Sequence, residues 1–361
     1  MHHKQMCLAV SLALISLSFI VLSLLEKNVV YTSAALYGND RVKKQGKSTF
    51  LGNTSNSEKM LCRSLPEYFN RKTLYLDPKT VSDVEMMLIF IGYPRSGHTL
   101  IGSLLDAHPN IIIANEYDIL SNWANYTTRH RNKQYLFEQL YTNSYVEAHE
   151  GDRSTKDCVP KTKYKYLIPN QWQGKFDGKI KIIGDKKGGK TTLLFHRSQK
   201  YWTILGEILQ EVKIPIKFIH VIRNPFDNIA TILLRRQFGY NLNWTKVFET
   251  PIHLRKETII RHINYRMKLG MTNAQLIQRF HGRVHTLRNE DMIKKPEIKL
   301  REICRFLNIE CSTKYIMDCI SIVNSKISKS RHGIVWDKEV KDILVKYIKR
   351  IPFYRGYTFD E

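Results

Sequence analysis

Short apolar runs alternate along the chain with longer segments in which apolar residues recur every three or four positions. An apolar run occupies residues 87–91, and further strands are predicted at residues 111–114, 179–183, 216–222 and 284–287. Runs of this length between polar turns are typical of buried strands, and the periodic segments are typical of amphipathic helices. Strands that alternate with helices predict a parallel sheet flanked by helices on both faces, so the expected fold class is α/β.

Helices are predicted after the third strand, after the fourth strand and near the C-terminus. The first has an apolar stripe made of Trp202, Leu205, Ile208, Leu209 and Val212. In the second, Asn224 can cap the helix and Pro225 can begin it. Two more are expected near 296–307 and 312–323, followed by a last amphipathic helix with apolar positions at Val340, Ile343, Leu344, Tyr347 and Ile348.

Two long segments lack a clear period and are predicted to be insertions. Residues 119–178 form an irregular stretch rich in Tyr, Trp, Asn and Lys, and residues 239–262 form a second one. Insertions of this size in a compact domain commonly act as lids or binding loops.

The first candidate site is the turn between the first strand and the next helix, with the sequence GYPRSGHT. Gly92 and Gly97 stand where a Walker-type loop places its glycines, and Thr99 stands where such a loop places its hydroxyl. His98 replaces the lysine that would contact a terminal phosphate. The loop is therefore predicted to bind a nucleotide phosphate but not a triphosphate.

Two further residues of this loop suit an anion. Arg95 adds a positive charge and Ser96 a hydroxyl donor to the backbone N–H groups at the helix N-terminus. His98 is interpreted as an additional donor rather than as a catalytic base. The structural alternative is an ordinary strand-to-helix turn with incidental glycines.

A second anion site is predicted around Arg223, Thr231 and Arg235. Thr231 and Arg235 are separated by four positions and share one helix face, and Arg223 follows the preceding strand directly. Guanidinium and hydroxyl groups both match phosphate oxygens. A solvated basic helix face, to which Arg236 would belong, is the alternative.

With two anion sites in one α/β domain, the sequence resembles the sulfotransferase superfamily, whose donor is 3′-phosphoadenosine 5′-phosphosulfate (PAPS). In that family a P-R/K-S-G-x-T loop binds the 5′-phosphosulfate, and an arginine followed eight residues later by Ser or Thr binds the 3′-phosphate. The matching positions are Pro94, Arg95, Ser96, Gly97, Thr99, Arg223 and Thr231. The tract RSGHTLIGSLLDAHP is especially similar to tyrosylprotein sulfotransferases, and the resemblance covers roughly residues 86–340.

The resemblance implies roles for residues outside the two loops. Glu116 falls at the position of the catalytic glutamate of tyrosylprotein sulfotransferases and would take the acceptor proton. Lys186, together with Arg95, would stabilise charge on the transferring sulfuryl group. Asp185 is the alternative base, and a solvated loop carboxylate is the structural alternative for Glu116.

Donor contacts are also implied further along the chain. Arg235 matches a second arginine for the 3′-phosphate, and Ser330 with Arg331, ahead of Trp336, resembles a C-terminal segment that closes over the donor. Two positions differ from the family. His98 replaces the usual threonine, and Asp118 replaces an arginine, which argues against an acidic tyrosine-containing peptide as the acceptor.

The N-terminal sequence predicts four regions. Residues 1–6 form a basic cytoplasmic tail, 7–25 are free of charge and long enough to span a bilayer, 26–85 form a lumenal stem, and 86–361 form the catalytic domain. We interpret residues 7–25 as a retained type II anchor in the Golgi membrane. A cleaved signal peptide and a buried core helix are the alternatives.

Charge and cysteine content agree with a lumenal domain that acts on anionic partners. The formal net charge is +24, and three sequons begin at Asn53, Asn125 and Asn243. The five cysteines beyond the anchor lack paired CxxC spacing, so disulfides with one thiol left over are expected rather than a metal site. Nucleic acid is excluded as the normal partner. The oligomeric state stays open, with a homodimer as one candidate.

The predicted function is sulfuryl transfer from PAPS, without a metal, to a hydroxyl of an acidic or hydroxylated glycan or glycoprotein. The alternative acceptor is tyrosine in a secreted protein. A P-loop kinase or NTPase, with Asp185 as a magnesium ligand, is the alternative enzyme class. The third possible class is a lumenal binding protein that has kept the fold but lost catalytic activity.

Overall fold

A computed structural model describes residues 73–151, 153, 166–239 and 242–360. The predicted anchor at residues 7–25, most of the predicted stem, the sequon at Asn53, and Cys62 and Cys158 all lie outside these ranges. Among the residues described, no helix combines the length and the apolar character needed to cross a membrane.

Five parallel strands form one sheet in the order β2-β3-β1-β4-β5. They are β1 (Met86–Gly92), β2 (Ile111–Asn115), β3 (Ile182–Lys186), β4 (Ile216–Ile222) and β5 (Val284–Arg288). The first strand lies in the middle, so the chain extends the sheet first to one side and then to the other. Ligands of open α/β sheets bind beyond the carboxyl ends of the strands at such a reversal. The ends of β1, β3 and β4 therefore mark the expected site.

Thirteen helices connect and cover the strands in the described ranges. They are α1 (Pro78–Ser82), α2 (His98–Asp106), α3 (Ile119–Asn125), α4 (Lys133–His149), α5 (Gly188–Arg197), α6 (Lys200–Val212), α7 (Pro225–Phe238), α8 (Trp244–Glu249), α9 (Lys256–Arg279), α10 (Asn289–Lys294), α11 (Pro296–Leu307), α12 (Thr313–Ser321) and α13 (Lys338–Arg350). Short 3₁₀ turns occur at Thr128–His130, Ser330–Gly333 and Pro352–Tyr354.

Alternate residues of β1 pack into two different cores. Met87, Ile89 and Ile91 belong to the cluster on one face of the sheet. Leu88 and Phe90 belong to the cluster on the other face. A strand that is buried on both faces is a near-continuous apolar run, and the sequence pattern predicted this α/β sheet correctly.

A third apolar cluster joins α7, α9 and α13 to the C-terminal segment. At its centre the Phe226 ring lies edge-on to those of Trp336 and Phe359, with each pair of ring centroids 5.2 Å apart. This cluster anchors the segment from Ile334 to Phe359 beside Ile222, at the carboxyl end of β4.

The third strand begins later than the sequence predicts. We expected a strand at residues 179–183 with a turn after it, but β3 includes Gly184, Asp185 and Lys186. In the parallel register Gly184 lies opposite Leu88, and a Cβ at residue 184 would be 2.0 Å from the Leu88 carbonyl oxygen. The strand can contain the two charged residues because protein groups surround both side chains, each 2% exposed.

The two predicted insertions contain helices. Residues 119–178 include α3 and α4, and α4 packs its buried residues Leu136, Phe137 and Leu140 into the core. The segment 239–262 contains α8 and the beginning of the 24-residue α9. Because α4 has little apolar periodicity of its own, tertiary contacts decide its helical state.

The predicted stem and the cysteines are also revised in part. Leu76, Val81 and Val84 fall in the stretch assigned to the stem but are buried in the core. Cys304 and Cys311 form a disulfide, as expected for some of the cysteines, and Cys319 is a buried free thiol.

Candidate active site

The turn between β1 and α2 has the backbone of an anion-binding loop. Gly92, Arg95 and Gly97 have φ angles of +137°, +68° and +97°. Gly97 is also closely packed, because a Cβ there would lie 2.1 Å from Oδ1 of Asn289. The N–H groups of the first turn of a helix lack intrahelical acceptors, so the beginning of α2 presents several donors to a ligand.

Side chains from neighbouring helices hold this loop in place. Nδ2 of Asn228 on α7 donates to the Pro94 carbonyl at 2.9 Å and to the Ser96 hydroxyl at 3.1 Å. The Gly92 N–H donates to Oγ1 of Thr192 on α5 at 2.9 Å. The loop therefore has its shape before any ligand binds.

His98 lies beneath the loop. Its Nε2 is 3.1 Å from the Ile91 carbonyl oxygen, so this nitrogen carries the proton and donates. Burial lowers the pKa of the imidazole to about 4, and the ring is neutral at physiological pH. The side chain thus ties the start of α2 to the end of β1, and only the backbone N–H of His98 remains suited to an anion.

Arg223 connects the loop to the second predicted anion site. Its Nη1 donates to the Arg95 carbonyl at 3.3 Å and to the Thr231 hydroxyl at 3.2 Å. Its Nη2 donates to the Ser328 carbonyl at 2.8 Å and to the Ser330 hydroxyl at 3.1 Å. The Thr231 and Ser330 hydroxyls are 2.7 Å apart. Three residues that the sequence places up to 107 positions apart therefore form one cluster beside the loop.

Arg331 has a different environment from its neighbour Ser330. Its guanidinium donates to both carboxylate oxygens of Asp227, at 3.0 and 2.9 Å, and to the carbonyls of Thr358 and Phe359. The side chain is 1% exposed. These contacts fasten the C-terminal segment to α7. The donor contact predicted for Arg331 stays a prediction.

Arg235 lies one helical turn beyond Thr231. Its Nη1 donates to the Gly239 carbonyl at 3.2 Å, and its guanidinium stands over the Trp244 ring at 5.7 Å. The predicted contact with a 3′-phosphate stays a prediction.

A carboxylate and two ammonium groups meet beside the loop. Nζ of Lys186 is 2.6 Å from Oε1 of Glu116, and Nζ of Lys187 is 2.7 Å from Oε2. Lys186 also donates to the Thr99 hydroxyl at 3.3 Å. Burial acts to raise the pKa of Glu116, but the two lysines outweigh it and hold this pKa at about 2. Glu116 is therefore ionised at neutral pH and within reach of the loop.

The turn that carries Glu116 is strained and well supported. Glu116 and Asp118 have φ angles of +60° and +68°, an unusual region for residues with a Cβ. The buried carboxylate of Asp185 accepts the N–H groups of Tyr117, Asp118 and Ile119 at 3.1, 2.8 and 3.1 Å. Burial raises the pKa of Asp185 to about 7. With three backbone donors on it, Asp185 organises the turn and is poorly placed as the alternative base.

The model of the sulfotransferase family matches residues 88–313, which include the loop, Glu116, Lys186 and Arg223. This chain belongs to the sulfotransferase family. A comparison with curated protein sequences finds no match.

Several solved sulfotransferase structures are similar to this sulfotransferase at low sequence identity. The Mycobacterium avium sulfotransferase STF9 is 12% identical with a TM-score of 0.39, and 81% of each chain is covered. The sulfotransferase domain of the Synechococcus olefin synthase is 14% identical with a TM-score of 0.44, covering 78% of this chain and 98% of that one. Mouse sulfotransferase SULT7A1 complexed with PAP is 10% identical with a TM-score of 0.35, covering 76% and 90%. Family membership rests on the sequence match, since all three TM-scores are below 0.5.

Sequence reasoning missed two residues of this sulfotransferase site and one ion pair beside it. Asn228 precedes Thr231 by three positions on the same helix face, a spacing that could have indicated it. Lys187 is adjacent to Lys186 in the sequence, but nothing local shows that both side chains reach one carboxylate. Lys190 forms an ion pair with Asp118 at 2.5 Å, and only the fold reveals this contact.

Proposed function

We propose that this sulfotransferase transfers the sulfuryl group of PAPS to a hydroxyl of a lumenal glycan or glycoprotein. The observation that carries the proposal is the junction at Arg223. This one guanidinium contacts the carbonyl of the phosphate loop and the Thr231 and Ser330 hydroxyls, while the Lys186–Glu116 pair contacts the loop at Thr99. A donor with phosphosulfate at one end and a 3′-phosphate at the other requires two such anion sites side by side.

Donor binding is assigned to the two clusters. The N–H groups at the start of α2, with Arg95, Ser96 and Thr99, take the 5′-phosphosulfate. Arg223, with the Thr231 and Ser330 hydroxyls, takes the 3′-phosphate. Loop and cluster are already joined by hydrogen bonds, which reduces the ordering cost of binding.

The transfer step uses Glu116 and Lys186. The acceptor oxygen attacks the sulfur in line with the leaving phosphate, Glu116 takes the hydroxyl proton, and the bond from sulfur to the bridging oxygen breaks. The products are the sulfate ester and adenosine 3′,5′-bisphosphate. Lys186, with Arg95, stabilises the negative charge that develops on the sulfuryl and bridging oxygens. The ionised state of Glu116 supports its role as the base.

The acceptor side favours a glycan over an acidic peptide. Asp118 stands where tyrosylprotein sulfotransferases have an arginine, and it is paired with Lys190 at 2.5 Å. Lys187 is likewise paired with Glu116. These lysines near the base are neutralised by internal carboxylates, so they offer little to the acidic residues of a peptide. The similarity of RSGHTLIGSLLDAHP to tyrosylprotein sulfotransferases keeps a protein tyrosine as the second candidate.

A P-loop kinase or NTPase is less well supported. In such an enzyme Asp185 would be the magnesium ligand, but its carboxylate oxygens accept three backbone N–H groups. His98, which replaces the loop lysine, has its side chain under the loop. A binding protein that has lost transfer activity is distinguished by donor binding without turnover.

We propose that the enzyme is a type II protein of the Golgi membrane with a lumenal catalytic domain. The uncharged segment at residues 7–25 supports an anchor. The Cys304–Cys311 disulfide supports an oxidising compartment, and the exposed sequon residues Asn125 and Asn243 are accessible to glycosylation.

The test of the function uses purified protein with radiolabelled PAPS and a panel of glycans, glycoproteins, tyrosine peptides and phenols. Label transferred to a glycan or glycoprotein supports the proposal, and Glu116→Gln should abolish transfer while keeping bisphosphate binding. Transfer to tyrosine peptides alone supports the second candidate. Failure to bind adenosine 3′,5′-bisphosphate contradicts both, and magnesium-dependent ATP hydrolysis that survives Arg223→Ala supports the NTPase.

A further inference from the structure

Lys187 contacts the candidate base Glu116 at the carboxylate oxygen that Lys186 leaves open. Each lysine contacts a different carboxylate oxygen of Glu116, at 2.7 Å for Lys187 and 2.6 Å for Lys186. The Lys187 side chain is 20% exposed and that of Lys186 is 2% exposed, while the Glu116 side chain is 50% exposed. The carboxylate is thus held between a buried and a partly exposed ammonium group at the open side of the site.

The two lysines differ in what else they contact. Nζ of Lys186 lies 3.3 Å from the Thr99 hydroxyl, so it joins the base to the donor loop. Lys187 is the N-cap residue of α5, just beyond β3, and its ion pair is with Glu116. A bound sulfuryl group at the loop would compete with Glu116 for Lys186 but would leave Lys187 on the carboxylate.

We propose that Lys187 is a positioning residue for the transfer reaction. It holds Oε2 of Glu116 and keeps this carboxylate ionised and aimed at the acceptor when Lys186 turns to the donor. The assignment rests on the proposed function, because it takes Glu116 as the base. The strained backbone of Glu116, with φ at +60°, agrees with a side chain held in one direction from both oxygens.

Several other titratable groups face Glu116. Asp185 lies beside Lys186 in β3, His98 approaches from α2, and Asp118 is paired with Lys190 of α5. His98 is neutral at the pH of an assay, since burial lowers its pKa to about 4. Burial raises the pKa of Asp185 to about 7, and the negative charge of Glu116 adds to this rise. The positive charges that contact and stabilise the ionised Glu116 carboxylate are therefore those of Lys186 and Lys187. When the donor binds Lys186, Lys187 supplies the larger part of this stabilisation.

The test compares Lys187→Met, Lys187→Arg and the matched control Lys190→Met. Lys190 lies on the same helix and pairs with the neighbouring carboxylate Asp118, not with Glu116. The dependence of kcat on pH is measured with saturating PAPS and the member of the panel of glycans, glycoproteins, tyrosine peptides and phenols that accepts the most label. Loss of one positive charge raises the pKa of Glu116, so the acid limb of kcat should move up by about one pH unit in Lys187→Met. Lys187→Arg and Lys190→Met should keep the wild-type limb.

Donor affinity separates positioning from general damage. The Kd for adenosine 3′,5′-bisphosphate and the KM for PAPS should stay within about twofold of wild type in Lys187→Met. At pH 6 kcat should fall by about tenfold, because Glu116 stays ionised at this pH but Oε2 loses the contact that aims the carboxylate. Lys187→Gln is made in parallel in case the methionine variant does not fold.

An acid limb of kcat that does not shift in Lys187→Met and Lys187→Gln would overturn the inference. An equal shift of the acid limb in Lys190→Met would also overturn it. Such results with normal wild-type turnover leave the proposed function standing. A wild-type protein that neither binds the bisphosphate nor transfers sulfate overturns both proposals.

Discussion

Replacing Arg223 with lysine keeps the positive charge but removes the guanidinium fork. In the structure the two terminal nitrogens have different acceptors. Nη1 donates to the Arg95 carbonyl and the Thr231 hydroxyl, and Nη2 donates to the Ser328 carbonyl and the Ser330 hydroxyl. A lysine has one nitrogen and cannot bridge both sides while it also binds a phosphate. We expect Arg223→Lys to weaken binding of adenosine 3′,5′-bisphosphate.

The size of this effect follows from the number of bonds lost to the ligand. The two N–H groups of Arg223 that now donate to the Thr231 and Ser330 hydroxyls would turn to the 3′-phosphate when it binds. A lysine would keep one of these two contacts, which removes one charge-assisted hydrogen bond worth about 1.5–3 kcal/mol. This corresponds to an increase in Kd of about 10- to 150-fold. The coulombic attraction of the phosphate is retained, so the salt dependence of Kd should change little.

Isothermal titration calorimetry with two ligands isolates the contact. Adenosine 3′,5′-bisphosphate carries the 3′-phosphate, and adenosine 5′-monophosphate does not. Arg223→Lys should increase the Kd of the bisphosphate, and it should change the Kd of the monophosphate by less than about threefold. The matched control is Arg236→Lys on the same helix, where the exposed arginine contacts His262 at 3.2 Å, and it should bind both ligands like wild type.

Two results would refute this reasoning. An equal loss of affinity for both ligands would mean that the substitution disturbs the loop rather than a 3′-phosphate contact. An unchanged Kd for the bisphosphate would mean that Arg223 does not bind it. Thermal unfolding of the variant checks that the protein remains folded at the assay temperature.

Three further predictions concern stability and pH. Arg331→Met leaves the buried Asp227 carboxylate without its partner, which costs about 3–5 kcal/mol and lowers the Tm by about 6–10 °C in a thermal scan; the double variant Asp227→Leu/Arg331→Met should recover at least half of that loss. His98→Gln keeps a donor for the underlying carbonyl, and its kcat between pH 6 and 8 should stay within about threefold of wild type with an unchanged pH profile, because the neutral imidazole does not titrate in this range. Cys304→Ser/Cys311→Ser opens a short loop and should lower the Tm by about 4 °C, from about 2 kcal/mol, when measured without reductant.

Each of these predictions has a contradicting outcome. A Tm of Arg331→Met within 2 °C of wild type would mean that the ion pair with Asp227 adds little to stability. An inflection in kcat near pH 6.5 that disappears in His98→Gln would make the imidazole a catalytic group. An identical Tm for the oxidised wild type and the double serine variant would indicate that Cys304 and Cys311 are not bonded in the purified protein.

Four of the five strands were predictable because their signal is local. A strand buried on both faces requires consecutive apolar residues, and β1, β2 and most of β4 meet this requirement in the sequence. The edge strand β5 was predicted at residues 284–287 although it contains His285 and Thr286. The prediction of the third strand failed for its C-terminal half, because Asp185 and Lys186 are charged. Their burial depends on the turn after β2 and on Glu116, about seventy positions away.

The helices in the two predicted insertions were missed for a related reason. Helix α4 has hardly any apolar stripe, and its polar residues bond to distant groups, as when Asn143 accepts the N–H of Asn115 at 2.6 Å. Helix α9 begins within a segment of high charge. Packing on the sheet and on the third apolar cluster stabilises these helices, and a local pattern does not contain that information.

The sequence by itself determined the class of the fold and located the strand-to-helix loop at residues 92–99 and the pair Arg223 and Thr231, which are predicted to bind the donor. These features consist of short-range spacings, and the chemistry of glycine, hydroxyl and guanidinium groups imposes them on neighbouring residues. Only the tertiary structure decided which residues complete the site. It brought Ser330 to Arg223, directed Arg331 to Asp227, placed the His98 side chain under the loop and set Lys187 on Glu116. The physical reason is that ion pairs and buried hydrogen bonds depend on distances between side chains far apart in sequence, and the packing of the sheet and helices sets those distances.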